Sequence, residues 1–181
     1  MGLSLDWYDA VFEVIDMRSF SNLWYWIGLA VLWSSVSHWI LGVPYDSIVR
    51  AKRGTPPEAM TDLQDLARVN INRILYIADI SGNWIALFGS AFLTALALAA
   101  FLYRIEFAQA VFLLIAPLAF LSFLTVRTAR LVRRKGLVGE QLVRQLMKHR
   151  FITQIIGVIA IFVTAMYGMY TNLYVGPFGG F

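Results

Sequence analysis

The chain has 181 residues, of which 59% are hydrophobic and only 14% charged, against about a quarter charged in a soluble domain. It has no cysteine, which excludes disulfides, thiolate nucleophiles and Cys-ligated zinc or iron–sulfur centres. The net charge of +4 follows from a one-sided distribution of Lys and Arg, so membrane topology accounts for it without nucleic acid.

The apolar residues collect into four runs, 23–43, 82–103, 107–126 and 151–175. Each is long enough to cross a hydrocarbon core of about 30 Å as a helix of about 20 residues. Runs of that length are not the alternating segments of a membrane barrel. The expected fold is all-α: one integral membrane domain over 1–181, a four-helix bundle with an N-terminal interfacial amphipathic helix and a cytoplasmic amphipathic helix. No cleavage pattern follows the first run at Val43, so a removable leader is not expected.

In chain order, residues 3–18 read as the interfacial helix. Asp6, Asp9, Glu13 and Asp16 fall on one face, Trp7, Val11, Val14 and Ile15 on another. Ser21 and Asn22 are capping residues for the first span, which opens with the belt residues Trp24, Tyr25 and Trp26. Ala30, Ser34, His38 and Gly42 recur every four residues, a small-residue face that permits close helix approach. Pro44 is expected to end the span.

The connector 45–79 balances five cations against five acids. Within it, Thr55-Pro56-Pro57-Glu58 has the pattern of a capping box with Pro at the first helical position. Met60, Leu63, Leu66, Ala67, Ile71, Ile74, Ile77 and Ala78 then make one apolar face. This predicts a helix over 56–78, resting on the inner leaflet or packed under the bundle, with a break at Ser81-Gly82-Asn83. The second span carries another small face, Gly82, Ala86, Ser90 and Thr94. A turn is required near Arg104-Ile105-Glu106, because an unbroken helix over 82–126 would be about 67 Å long. Pro117 lies inside the third helix, which is expected to run on into 127–135 before Gly136 and Gly139. Leu142, Val143, Leu146 and Met147 form a stripe leading into the fourth span, whose small face is Ala160, Thr164, Gly168 and Asn172. Tyr167, Tyr170 and Tyr174 suit the outer interface.

Between Arg127 and Arg150 stand eight Lys/Arg and one acid, Glu140. Basic excess marks a cytoplasmic loop. On this assignment thirteen of the fifteen Lys/Arg lie inside, only Arg18 and Arg104 lie outside, and both termini are periplasmic.

Few residues offer chemistry. His38 and His149, the two histidines, are the candidates for haem or metal ligation in a bundle; a structural role for both is the simpler expectation. Asp79, Ser81 and Asn83 either line a vestibule or cap a helix. The cluster Arg127, Arg130, Arg133, Arg134 and Lys135 suits anionic lipid at about 1 kcal/mol per residue. The central spans hold no ionisable group except His38, and no nucleotide, zinc-protease or serine-nucleophile motif is present. An enzyme, and a bound cofactor, are therefore not expected. The expected role is a non-enzymatic accessory, assembly or scaffold protein packing with itself or with a larger membrane complex. Two alternatives stay open: a small homo-oligomeric channel lined by Ser90/Thr94 or Ser34/His38, and a haem-binding redox subunit.

The segment Phe12-Glu13-Val14-Ile15-Asp16-Met17-Arg18-Ser19-Phe20-Ser21-Asn22-Leu23-Trp24-Tyr25-Trp26, with His38-Trp39 and Gly42-Val43-Pro44-Tyr45-Asp46, resembles a group of small alphaproteobacterial membrane proteins labelled "component of SufBCD complex". The resemblance implies a partner role and a bacterial inner membrane.

Overall fold

The structure, a computed structural model of the chain, describes residues 20, 22–54 and 56–175. The interfacial helix expected over 3–18, Ser21, Thr55, the side chains of Asn172 and Tyr174, and the tail after Val175 lie outside the described residues. Five α-helices dominate: α1 (Leu23–His38), α2 (Tyr45–Arg53), α3 (Ala59–Ala97), α4 (Glu106–Lys135) and α5 (Gly139–Val175). Two short strands, β1 (Trp39–Ile40) and β2 (Val43–Pro44), form a hairpin between α1 and α2. Three helices among the described residues are long and apolar enough to cross a membrane: Ala59–Leu102, Glu106–Lys135 and Gly139–Thr171. This is a membrane protein.

The first apolar run ends sooner than the sequence suggests. Asn22 caps α1 as expected, its Oδ1 accepting from the Trp24 amide at 3.0 Å. The helix stops at His38, however, and the chain reverses through Leu41 and Gly42, whose φ values are +51° and +76°. Two consecutive positive φ angles are what a two-residue hairpin turn needs to match strand twist. Asn70 of α3 fixes this turn, donating from Nδ2 to the Gly42 carbonyl at 3.1 Å. Gly42 therefore belongs to a turn, not to a helix face with Ala30, Ser34 and His38.

A second correction concerns α3. No break occurs at Ser81-Gly82-Asn83; one helix runs from Ala59 to Ala97. Glycine inside a helix costs about 1 kcal/mol, too little to outweigh the need of every backbone group to stay paired in lipid. The helix also starts at Ala59 rather than Pro56, with Glu58 at the N-cap and no side-chain capping bond there. It ends in a π-turn over Leu98–Leu102, and Arg104, at φ +55°, completes the reversal into α4. The turn near Arg104 is where the length argument put it. Gln109, 7% exposed, donates from Nε2 to the Ala100 carbonyl at 2.8 Å, which satisfies an oxygen in the loosened turn.

The charged stretch 127–150 is mostly helical. α4 continues through Pro117 to Lys135, and Gly136 and Gly139 take positive φ at the tight turn into α5.

Two apolar clusters result. One gathers Ile40 and Val43 of the hairpin, Ile48 of α2, Leu63, Ala67, Ile71 and Leu75 of α3, Ala129 and Val132 of α4, and Leu142, Val143 and Leu146 of α5. Of the apolar face expected over 56–78, Leu63, Ala67 and Ile71 are buried in this cluster, with Leu75 beside them, while Leu66 and Ile77 are left exposed. The other cluster lies among the spans, where Leu29 and Trp33 of α1 meet Leu121 of α4 and Ala160 of α5.

Candidate functional site

The small-residue faces are the main candidates, and the structure treats them unequally. On α5, Thr153, Gly157, Ala160, Thr164 and Gly168 are all buried. A Cβ added at Gly157 would lie 2.8 Å from the Trp33 ring, and one at Gly168 would lie 3.1 Å from Phe20. Bulky residues of α1 thus fill a groove made by small residues of α5. Tyr25 holds α1 to α4 as well, donating its hydroxyl to the Ala110 carbonyl at 3.1 Å. Gly157, Trp33 and Gln109 were not singled out from sequence; Gly157 extends the α5 series by a step of three rather than four, which a strict four-residue count passes over.

The face on α1 points the other way. Ala30, Ser34 and His38 are exposed, because the opposite side of the helix supplies the large residues that seat on α5. The face on α3 is also uncovered among the described residues. Ala86, Ser90 and Thr94 are exposed, Gly82 is half-buried, and an added Cβ at Gly82 or Gly89 would meet nothing within 4 Å. Only 6% of the most apolar stretch of this helix is buried, against 22% for α4 and 28% for α5. The polar atoms on the face are internally satisfied: Ser90 donates to Leu87 O at 3.0 Å and Thr94 to Ser90 O at 2.8 Å.

The two histidines have different settings. His149 is 4% exposed. Thr125 donates to Leu121 O at 2.9 Å, so its oxygen is left to accept from His149 Nε2 at 3.3 Å. Thr128 lies 3.1 Å from Nδ1 and supplies the complementary donor. A neutral imidazole protonated at Nε2 satisfies this arrangement, and both ring nitrogens are then engaged. That leaves no free lone pair toward a haem iron or a metal. His38 is exposed and meets the Trp39 ring edge-on at 6.0 Å between centroids. No cluster of three or more His, Cys, Asp or Glu suited to a metal occurs among the described residues.

Arg127, Arg130, Arg133, Arg134 and Lys135 are all exposed on α4. A shallow groove of about 450 Å³ is lined by Phe123, Val126 and Leu131 together with Arg127, Arg130, Arg134 and Lys135. The lining joins three apolar side chains to four cations. Asp79 is not a free vestibule carboxylate, since it pairs with Arg130 of α4 at 3.6 Å. Ser81 and Asn83 sit on the unbroken α3 and cap nothing.

No protein-family model, curated protein or solved structure matches the chain.

Proposed function

We propose that the protein is a non-enzymatic accessory or scaffold protein of a bacterial inner membrane, and that it works by helix packing through α3. The observation that carries this reading is the uncovered outer half of α3. Its face of Gly82, Ala86, Ser90 and Thr94 has the same build as the α5 face that α1 fills, but no helix among the described residues lies on it. Without a water-driven hydrophobic force in lipid, such faces associate through close backbone approach. The occupant is a helix of a second copy or of a larger membrane complex.

The topology that goes with this is four passes with both termini periplasmic. It is supported by the thirteen Lys/Arg on the side of the α4–α5 turn and by the packing of α1 along α5. α1 has 16 residues, about 24 Å, and the hairpin after it completes the membrane thickness. Anionic lipid at the α4 groove is the expected partner on the cytoplasmic side. The likeness of residues 12–26 to the alphaproteobacterial proteins named above supports the same membrane. A channel is the weaker reading, because the Ser90 and Thr94 hydroxyls are engaged by their own helix. A haem subunit is weaker still, given the engaged nitrogens of His149.

Native mass spectrometry of the mildly solubilised protein tests the proposal. A mass above one 20.5 kDa chain, reduced to that of one chain by Ser90→Leu or Ala86→Leu, is the expected result. A wild-type protein that remains a single chain, or an assembly indifferent to both variants, overturns it.

A further inference from the structure

The inner end of α1 carries an unusual set of hydrogen-bond donors. Ser34, Ser35, Ser37, His38 and Trp39 line an open hollow of about 470 Å³, closed on one side by Arg150 of α5. Ser90, Thr94, Ser122 and Thr153 each donate to a carbonyl of their own helix. Ser34, Ser35 and Ser37 make no such bond among the described residues, although all three are helical. Arg150 stands in the same condition. Its guanidinium lies over the Tyr45 ring, 3.6 Å from the centroid, and its Nε is buried without a hydrogen-bond partner. The ion pairs of the described residues use Arg50, Arg68, Arg130 and Arg144, so no carboxylate among the described residues serves Arg150.

Stacking on Tyr45 fixes the plane of the guanidinium, and its two terminal nitrogens are the donors with which Arg can take a tetrahedral oxyanion in two-point fashion. Three hydroxyl donors and an imidazole complete a set that matches phosphate oxygens. The carbonyl end of α1 bears partial negative charge, so Arg150 and not the helix must supply the attraction. The hollow lies where the charged start of α5 meets its apolar run at residue 151.

We propose that this hollow binds a phosphate group, held by Arg150 with Ser34, Ser35, Ser37 and His38. The phosphate belongs either to a membrane phospholipid or to a soluble phosphorylated molecule. The site is separate from the α4 groove and does not depend on α3 packing.

The test uses the full chain in mild detergent. Inorganic phosphate is titrated by calorimetry, and retention of dioleoylphosphatidylglycerol is compared with dioleoylglycerol by native mass spectrometry. Binding of inorganic phosphate assigns a soluble source; retention of the phospholipid alone assigns a lipid source. In either case Arg150→Gln is expected to weaken binding about tenfold or more, with Arg150→Lys recovering part of it and Arg68→Gln, at an exposed position paired with Asp65, leaving it unchanged. The double variant Ser34→Ala/Ser35→Ala, at exposed positions, probes the same hollow if Arg150→Gln fails to fold, and it too is expected to weaken binding. Failure to bind either probe, binding indifferent to Arg150→Gln and to the serine pair, or loss in Arg68→Gln instead overturns the proposal.

Discussion

Two helices of this protein carry nearly the same device, and only one of them uses it inside the chain. α5 presents Gly157, Ala160, Thr164 and Gly168, and α1 fills that groove with Phe20 beside it and Trp26, Leu29 and Trp33 along it. α3 presents Gly82, Ala86, Ser90 and Thr94 to no neighbour among the described residues. A small-residue stripe thus permits close approach without specifying which helix approaches. What decides is whether a helix with large residues on the matching face is delivered there by the connections. The β1–β2 hairpin returns the chain from α1 to α2 and leaves α1 beside α5, while the tight turns at residues 103–105 and 136–138 keep α3, α4 and α5 in sequence. α3 is left at the edge.

That contrast can be broken from the filled side first. Leu29→Ala removes a side chain only 2% exposed and is expected to cost about 2–5 kcal/mol, read as a lowered midpoint in thermal unfolding. Gly157→Ala places a methyl 2.8 Å from a rigid indole ring and should cost about 1–3 kcal/mol by overpacking. Combining it with Trp33→Leu should return part of that loss, a coupling that a double-mutant cycle measures. Gly168→Ala meets Phe20 at 3.1 Å and Trp26 at 3.3 Å, tighter than ordinary contact but relieved by shifts of a few tenths of an ångström, and is expected to cost about 1 kcal/mol, less than Gly157→Ala. On the open side, Ser90→Leu should leave the stability of the single chain within about 0.5 kcal/mol while abolishing the assembly. A large loss of single-chain stability in Ser90→Leu would mean that the α3 face is covered within one molecule after all, and the contrast would fail.

The sequence was most informative where one physical constraint acts alone. Apolar length placed the long helices, the glycines at 136 and 139 placed the α4–α5 turn, and the length limit required the turn near Arg104. The small face of α5 was legible from Ala160, Thr164 and Gly168. The sequence was least informative where constraints compete. Gly82 beside Ser81 and Asn83 reads as a breaker, but in lipid the helical hydrogen bonds of α3 prevail. Trp39 to Pro44 reads as the end of a span, whereas Gly42 and the Asn70 side chain turn it into a hairpin.

By itself, then, the sequence determined a helical membrane protein with its cations gathered at one end, because hydropathy and charge act on each segment independently of its neighbours. Only the tertiary structure decided which stripe is filled and which is open, and that His149 is enclosed by Thr125 and Thr128. It also brought Arg150 onto Tyr45 beside three serines of α1. Those facts depend on residues distant in sequence meeting in space, and no local pattern encodes such meetings.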